Sequence, residues 1–216
     1  GPGRNHRIIS NANINSCVFN RSAMRFPLAM RPPFRPCRPA TRLRESVNLP
    51  TETSYAICHR MARRSGSNFY PCFFLLDRPK RRAMDALYAF MRHTDDLADS
   101  TQALSQRREQ LSHWKESLEA ALGGRAESLG PDSNASILPA LVDTVQRYQI
   151  PAEHLLAVLE GVEMDLEGRS FETFDELAEY CHRVATAVGM ACIHIWGFDD
   201  DRAFEPARYC GLAFQM

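Results

Sequence analysis

The sequence predicts an all-α helical bundle, and three observations carry that prediction. From Pro50 onward, apolar residues recur at helical spacing in one segment after another. Helix start and stop residues fall at the segment boundaries. There is no run of alternating polar and apolar residues, no internal repeat and no glycine-rich phosphate loop.

Taken in order, Thr51 or Thr53 opens a helix that runs to about Arg64, and Ser65-Gly66-Ser67-Asn68 breaks it. Phe69 to Leu76 is apolar and aromatic, which suits a short strand or a packed loop. Pro79 starts a long helix through Ala83, Met84, Leu87, Tyr88 and Met91 to Asp99, since the first turn needs no N–H there. Leu104 to Leu122 is helical and stops at Gly123-Gly124, with a loop over 125–134. Ile137 to Tyr148 is helical. Pro151 starts the next helix, whose face is Leu155, Leu159, Val162 and Leu166 and which Gly168 closes. Thr173-Phe-Asp-Glu176 is a capping box opening a single helix from Phe174 to Trp196. Its apolar stretch, Val184 to Phe198, contains Thr186 and His194 and is too short and too polar to span a bilayer, so a buried helix is expected. A last helix begins at Pro206 and is still running at Met216, without a stop signal.

Composition sets the organisation. The 216 residues carry 26 basic and 26 acidic groups, 44% hydrophobic and 24% charged, which suits one domain plus a tail. Residues 1–48 hold nine arginines, no lysine and a single acid, Glu45, a net +8; residues 49–216 are left with a net −8. The tail is rich in Arg, Pro, Asn and Ser, has no periodicity, and is expected to be disordered. An over-long start assignment ranks first for it, an organelle transit peptide second and a nucleic-acid arm last. The seven cysteines form no C-x-x-C pair and no zinc spacing, which points to free thiols in a reducing compartment.

The chemistry concentrates in Arg92-His-Thr-Asp-Asp-Leu-Ala-Asp99. On a helix, Tyr88, Arg92, Asp95 and Asp99 form one stripe beside apolar Met84, Leu87 and Met91. Mg²⁺ is commonly held by one or two carboxylates together with substrate phosphates, and a guanidinium forks onto phosphate oxygens. The competing reading is a solvated acidic helix end. Against it, acids near a helix C-terminus oppose the helix dipole, and breaches of local rules tend to mark function. A second stretch, Tyr180-Cys-His-Arg-Val-Ala-Thr-Ala-Val-Gly189, places Tyr180, Val184, Ala187, Val188 and Ala191 on one helical face. Small residues there suit the wall of an elongated apolar cavity, but on spacing alone a core helix with Gly189 at a close crossing ranks first.

These stretches together resemble the squalene/phytoene synthase family, from about Ser54 to Met216. The matching blocks are Asn68-Phe69 with Pro79-Lys-Arg-Arg-Ala83 and Ala86-Leu-Tyr-Ala-Phe90, the first aspartate motif Asp95-Asp-Leu-Ala-Asp99 preceded by Arg92, and Tyr180-Cys-x-x-Val-Ala-x-x-Val-Gly189. Gly211-Leu-Ala-Phe-Gln-Met216 is similar to the start of a fourth block, which in that family leads into a second aspartate motif. The resemblance implies an isoprenoid synthase bundle, incomplete at its C-terminus, with 49–216 as its N-terminal two-thirds and the fragment inactive alone. It implies that Asp95 and Asp99 bind Mg²⁺ and a donor diphosphate, that Arg92 and Tyr88 contact substrate, and that Phe69, Val184, Val188, Gly189 and Gly211 line the prenyl site. Tyr180 and Gln215 would face the reacting carbons, with Tyr180 near proton loss.

The implied reaction joins two prenyl diphosphates head to head, with farnesyl diphosphate giving presqualene diphosphate, squalene or hydroxysqualene. The wording around Phe69 and Asp95 is most similar to bacterial hopanoid-pathway members, with phytoene synthase, which uses geranylgeranyl diphosphate, close behind. No nicotinamide fingerprint is visible and no nucleic-acid partner is expected. A cytoplasmic location follows, with peripheral membrane association for release of a lipid product; the oligomeric state stays open. Two other classes compete: a non-catalytic mitochondrial assembly factor of the same fold, and an unrelated helical binding module. The intact Arg92, Asp95, Asp99 and Tyr180 argue against the first of these, and the second would make the acidic stripe mere surface.

Overall fold

The computed structural model describes residues 49–125, 136–168 and 170–215. Every regular element among them is helical, and none of these helices is long and apolar enough to cross a membrane. The basic tail (1–48) and nearly all of the expected 125–134 loop lie outside the described residues. The elements are α1 (Leu49–Arg64), α2 (Tyr70–Phe73), α3 (Arg78–Ala98), α4 (Leu104–Leu122), α5 (Leu138–Tyr148), α6 (Ala152–Glu167), α7 (Phe174–Cys181), a π turn (His182–Thr186), α8 (Ala187–Trp196), a 3₁₀ turn (Asp201–Ala203) and α9 (Phe204–Gln215).

Helix α3 is the hub, packing against α1, α4, α5, α6 and α8. Ala83, Met84, Ala86, Leu87, Ala89 and Phe90 are all buried along it. Alanines alternate there with large side chains, which lets several neighbours approach closely around Phe90 and Leu87. Asp77 caps its start, its Oδ1 accepting from Lys80 N at 3.0 Å, so the helix opens at Arg78 rather than at Pro79. Asp99 closes it, donating its backbone N–H to the Asp95 carbonyl. The Gly168 stop is present at φ 65°, and the Thr173–Glu176 capping box forms as expected.

Two expectations need correction. Phe69–Leu76 is neither strand nor simple loop: Tyr70–Phe73 makes one helical turn. Pro71 sits in its first turn, and Ser67 Oγ accepts from Phe69 N at 3.2 Å, together turning the chain into a helix. The second correction concerns the single helix expected from Phe174 to Trp196. It is divided by the π turn, where Ala187 N–H reaches back five residues to the His182 carbonyl. The extra residue per turn rotates everything beyond it. Tyr180 and Val184 therefore pack with Cys181 and Ala185 in a small second cluster, while Ala187, Val188 and Ala191 join the main core. The one continuous face expected from Tyr180 to Ala191 does not exist.

Helix packing accounts for where the π turn sits. α6 and α9 press on it from two sides, each through a glycine. A Cβ on Gly161 would lie 2.6 Å from Val184 Cγ1, and one on Gly211 would lie 2.6 Å from Thr186 Cα. Only a residue without a side chain admits backbones this close.

Candidate functional site

The C-terminal end of α3, the C-terminal end of α6 and the end of α7 converge. α3 supplies Asp95 and Asp99, α6 supplies Asp165 and α7 supplies Tyr180. Asp95 is buried, only 7% exposed, whereas Asp99 is exposed at the helix end. Burial pushes the Asp95 carboxyl up to about 7; repulsion from Asp99, Asp96 and Asp165 adds to this and Arg92 opposes it. Asp165 is also raised, first by burial, while the nearby Tyr180 hydroxyl opposes the rise and Asp99 adds to it. Two motifs far apart in the chain thus meet through Asp165.

The backing of Asp95 is rigid. Thr94 is fully buried, donates Oγ1–H to the Phe90 carbonyl at 2.9 Å, and accepts the Trp114 indole N–H at 3.0 Å. His93 stands edge-on to the same indole, centroids 4.6 Å apart, and burial lowers its pKa. α4 therefore clamps the turn that carries the acids.

The other expected site residues fall as follows. Arg92 pairs with Asp96 at 2.6 Å, one turn on, with both side chains partly exposed. Tyr88 is half-buried with its ring edge-on to Phe73 at 6.2 Å. Phe69 caps α2 and packs against the main core. Tyr180 is 3% exposed, and its ring lies 5.0 Å from that of Phe171. Val184 is buried beside it and touches the α6 backbone at Gly161. Val188 and Gly189 are half-buried, and a Cβ on Gly189 would meet no heavy atom within 4 Å, so open space lies beside it. Gly211 is buried in its crossing with Thr186, and Gln215 is half-buried near the end of α9.

Sequence reasoning missed Asp165 and Gly161. A signal existed: Asp165 follows Gly161 by one helical turn, next to the apolar face of α6, where an acid is out of place. The Asp199–Asp201 run does not join the site; Asp200 caps the 3₁₀ turn and pairs with Arg202 at 2.7 Å. Among the described residues, no group of three or more His, Cys, Asp or Glu side chains forms a ready-made cation cage. The donors present nevertheless suit Mg²⁺. They are hard carboxylate oxygens, few in number, one of them buried and held against like charges, which leaves the remaining positions for phosphate oxygens and water.

Residues 62–216 match the family model described as squalene/phytoene synthase. The chain belongs to that family. Among curated relatives of this synthase-family chain, it is 34% identical over 155 residues to a 15-cis-phytoene synthase of Synechocystis, covering 72% of this chain and 44% of the relative. It is 32% identical over 153 residues to a presqualene diphosphate synthase of Rhodopseudomonas palustris, covering 70% and 52%. The chain thus spans about half the length of the curated relatives it matches. Among solved structures, a squalene synthase, HpnC, from Alicyclobacillus acidocaldarius superposes with a TM-score of 0.66 at 26% identity, covering 77% of this chain and 60% of that one. A ligand-bound dehydrosqualene synthase gives 0.65 at 24% identity, covering 76% and 54%, and shares the all-α fold.

Proposed function

We propose that this protein catalyses the head-to-head condensation of two prenyl diphosphates, with two farnesyl diphosphates losing one diphosphate and one proton to give presqualene diphosphate. That product goes on, by loss of its own diphosphate, to hydroxysqualene when water is captured or to squalene when an external hydride donor supplies hydride. The observation that carries the reading is the burial of Asp95 beside Asp99 and Asp165, with the buried Tyr180 near Asp165 where α3, α6 and α7 converge. A buried carboxylate surrounded by carboxylates destabilises the empty fold and suits a site awaiting cationic and phosphorylated partners.

Asp95 and Asp99 would hold Mg²⁺, which when bound neutralises diphosphate charge and assists its departure as a leaving group. Arg92, one turn before Asp96, is placed to trade that carboxylate for a phosphate oxygen. The Tyr180 hydroxyl, wholly buried and set behind the acids, offers a lone pair for the proton lost from the coupled prenyl chains. Phe171 gives Tyr180 an aromatic neighbour, and ring faces stabilise a carbocation while keeping water out. The open space beside Gly189, next to Val188, suits the polyprenyl tail. Phe69, Val184, Gly211 and Gln215 belong to this substrate assignment by family pattern. A cytoplasmic protein with peripheral membrane contact fits a lipid product. Phytoene-type coupling of geranylgeranyl diphosphate is the second reading, favoured by the phytoene synthases among its relatives.

The test is turnover by the whole gene product, with Mg²⁺ and either farnesyl or geranylgeranyl diphosphate, followed by diphosphate release and lipid product. Asp95→Asn and Asp99→Asn are each expected to reduce release by on the order of 100-fold or more. Undiminished release by Asp95→Asn would refute the metal role, and the preferred substrate decides between the two couplings.

A further inference from the structure

We propose that the surface around the turn after α2, centred on Phe74 and Leu75, docks this protein on an anionic lipid membrane. The proposal goes beyond the synthase reading and does not rest on it, because docking is measured without substrate or turnover.

The sequence concentrates positive charge here. Residues 59–82 hold seven basic side chains and a single acid, Asp77, a net +6 inside a body of net −8. The acid is used within the fold: Asp77 caps α3, accepting from Lys80 N at 3.0 Å. Two of the cations are also engaged. Lys80 Nζ donates to the Trp196 carbonyl at 2.5 Å, and Arg82 pairs with Glu52 at 2.6 Å. Arg60, Arg63, Arg64 and Arg78 are exposed, and Arg81 is half-buried.

An apolar turn lies within that field. Leu75 is 87% exposed and Phe74 58%. Ring contacts join this turn to the helices on either side. The Phe74 ring stands edge-on to Tyr70 with centroids 5.4 Å apart, and Tyr70 lies 6.1 Å from the His59 ring on α1. On the other side, the Arg81 guanidinium of α3 lies 5.4 Å from the Phe74 ring centroid. Arg63 is one helical turn beyond His59, and Arg78 is one turn before Arg81. Arginines on α1 and α3 therefore flank the apolar turn.

A leucine and a phenylalanine side by side in water are unfavourable, and a rim of cations around them gives no relief unless an anionic surface meets it. A membrane takes both parts. Aliphatic and aromatic side chains enter the acyl boundary while the arginines stay level with the phosphates. Each cation near such a surface strengthens binding roughly 5-fold. Single-stranded nucleic acid would engage the arginines and stack on rings, but it has no use for an aliphatic Leu75. The turn precedes α3, whose 21 residues span about 30 Å to the aspartates at the other end, so docking leaves the acidic end uncovered.

Vesicle sedimentation of the whole gene product tests this. Vesicles of phosphatidylcholine mixed with phosphatidylglycerol are expected to carry the protein down, vesicles of phosphatidylcholine alone are not, and added salt should weaken the binding. Leu75→Glu is expected to weaken it on the order of 10-fold or more. Arg63→Gln combined with Arg78→Gln should weaken it on the order of 20-fold, whereas Arg63→Lys with Arg78→Lys should retain it, because a lipid surface reads charge. Arg108→Gln, on α4 beyond the acidic end of α3, should bind as the wild type does. The basic segment 1–48 is common to all these proteins and cancels in the comparison. Leu75→Trp provides a second reading, its emission moving to the blue with the anionic vesicles as the indole leaves water. A wild-type protein that stays in the supernatant overturns the proposal, as does equal binding by Leu75→Glu and the paired glutamine variant. Binding indifferent to phosphatidylglycerol overturns it too, and so does tighter retention on single-stranded RNA than on vesicles. A fall in melting temperature for Leu75→Glu with unchanged vesicle binding would show Leu75 covered by the rest of the chain and overturn it as well. Failure to couple prenyl diphosphates would end the synthase reading and leave the vesicle result standing.

Discussion

Replacing Asp95 by Asn is expected to make the metal-free chain more stable at neutral pH while removing activity. The Asp95 carboxyl is raised from an ordinary 3.8 to about 7, by burial first and by its acidic neighbours second. A carboxyl with a raised folded-state pKa binds its proton more tightly when folded than when unfolded. Its contribution is therefore fully present below about pH 4 and is lost as pH climbs to about 7. A rise of about three pH units at ~1.4 kcal/mol per unit is a loss of at most roughly 4 kcal/mol, complete by about pH 8. Asparagine keeps the shape and does not titrate. The stability difference, variant minus wild type, should be near zero at pH 4 and grow toward that limit at pH 8. Urea denaturation followed by far-ultraviolet circular dichroism, in buffer with a chelator, measures it at each pH. Groups such as Asp85, also raised by burial, contribute equally to both proteins and cancel in the difference. A difference that does not vary with pH, or that falls as pH rises, would refute the burial of Asp95 beside like charges.

The glycines give opposite signs. Gly161→Ala and Gly211→Ala must displace Val184 or the Thr186 backbone, and each should cost about 1–3 kcal/mol in thermal or urea denaturation. Gly189→Ala adds a methyl group to open space inside a helix and should stabilise by about 0.5–1 kcal/mol. Tyr55→Phe removes an O–H that donates to Asp143 Oδ2 at 2.7 Å and lies 3.0 Å from Thr144 Oγ1, on the seam between α1 and α5. It should cost about 1–2 kcal/mol in the same assay, and an unchanged midpoint would show that water replaces the phenol there.

The bundle was legible because its punctuation is local. Asp77, Thr173, Gly168 and the prolines act within a turn of their own positions, and the helix ends follow them to within a few residues. The aspartate stripe was legible for the same reason, since a helix fixes which residues share a face. The π turn was not legible. Nothing in His182–Thr186 itself asks for an extra residue per turn; the request comes from α6 and α9, whose glycines make contact only once the chain has folded. Helical spacing carried across that turn assigned Ala187, Val188 and Ala191 to the wrong neighbours. Asp165 was hidden by a related problem. Its meaning lies in Tyr180 and Asp99, both on other elements, and its own helix shows only an acid beside an apolar face.

The acids sit where the chain is least free to relax. Asp95 follows Thr94, which is locked between the Phe90 carbonyl and the Trp114 indole, so the turn of α3 cannot rotate its carboxylate out to water without breaking buried hydrogen bonds. The helix dipole opposes negative charge at this end, and Asp99 and Asp165 oppose it again. If stability alone had shaped the position, an uncharged side chain would serve better, and the clamp on Thr94 would have nothing to hold in place. A rigid mount under a destabilised charge is what pre-organised binding of a cation and an anion together requires, because the protein then reorganises little when they arrive. The reasoning extends to Trp114. Trp114→Phe keeps most of the packing but frees Thr94, so it should weaken Mg²⁺ binding at the acids by more than it lowers the melting temperature would suggest. Equal loss on both measures would reduce the clamp to ordinary core packing.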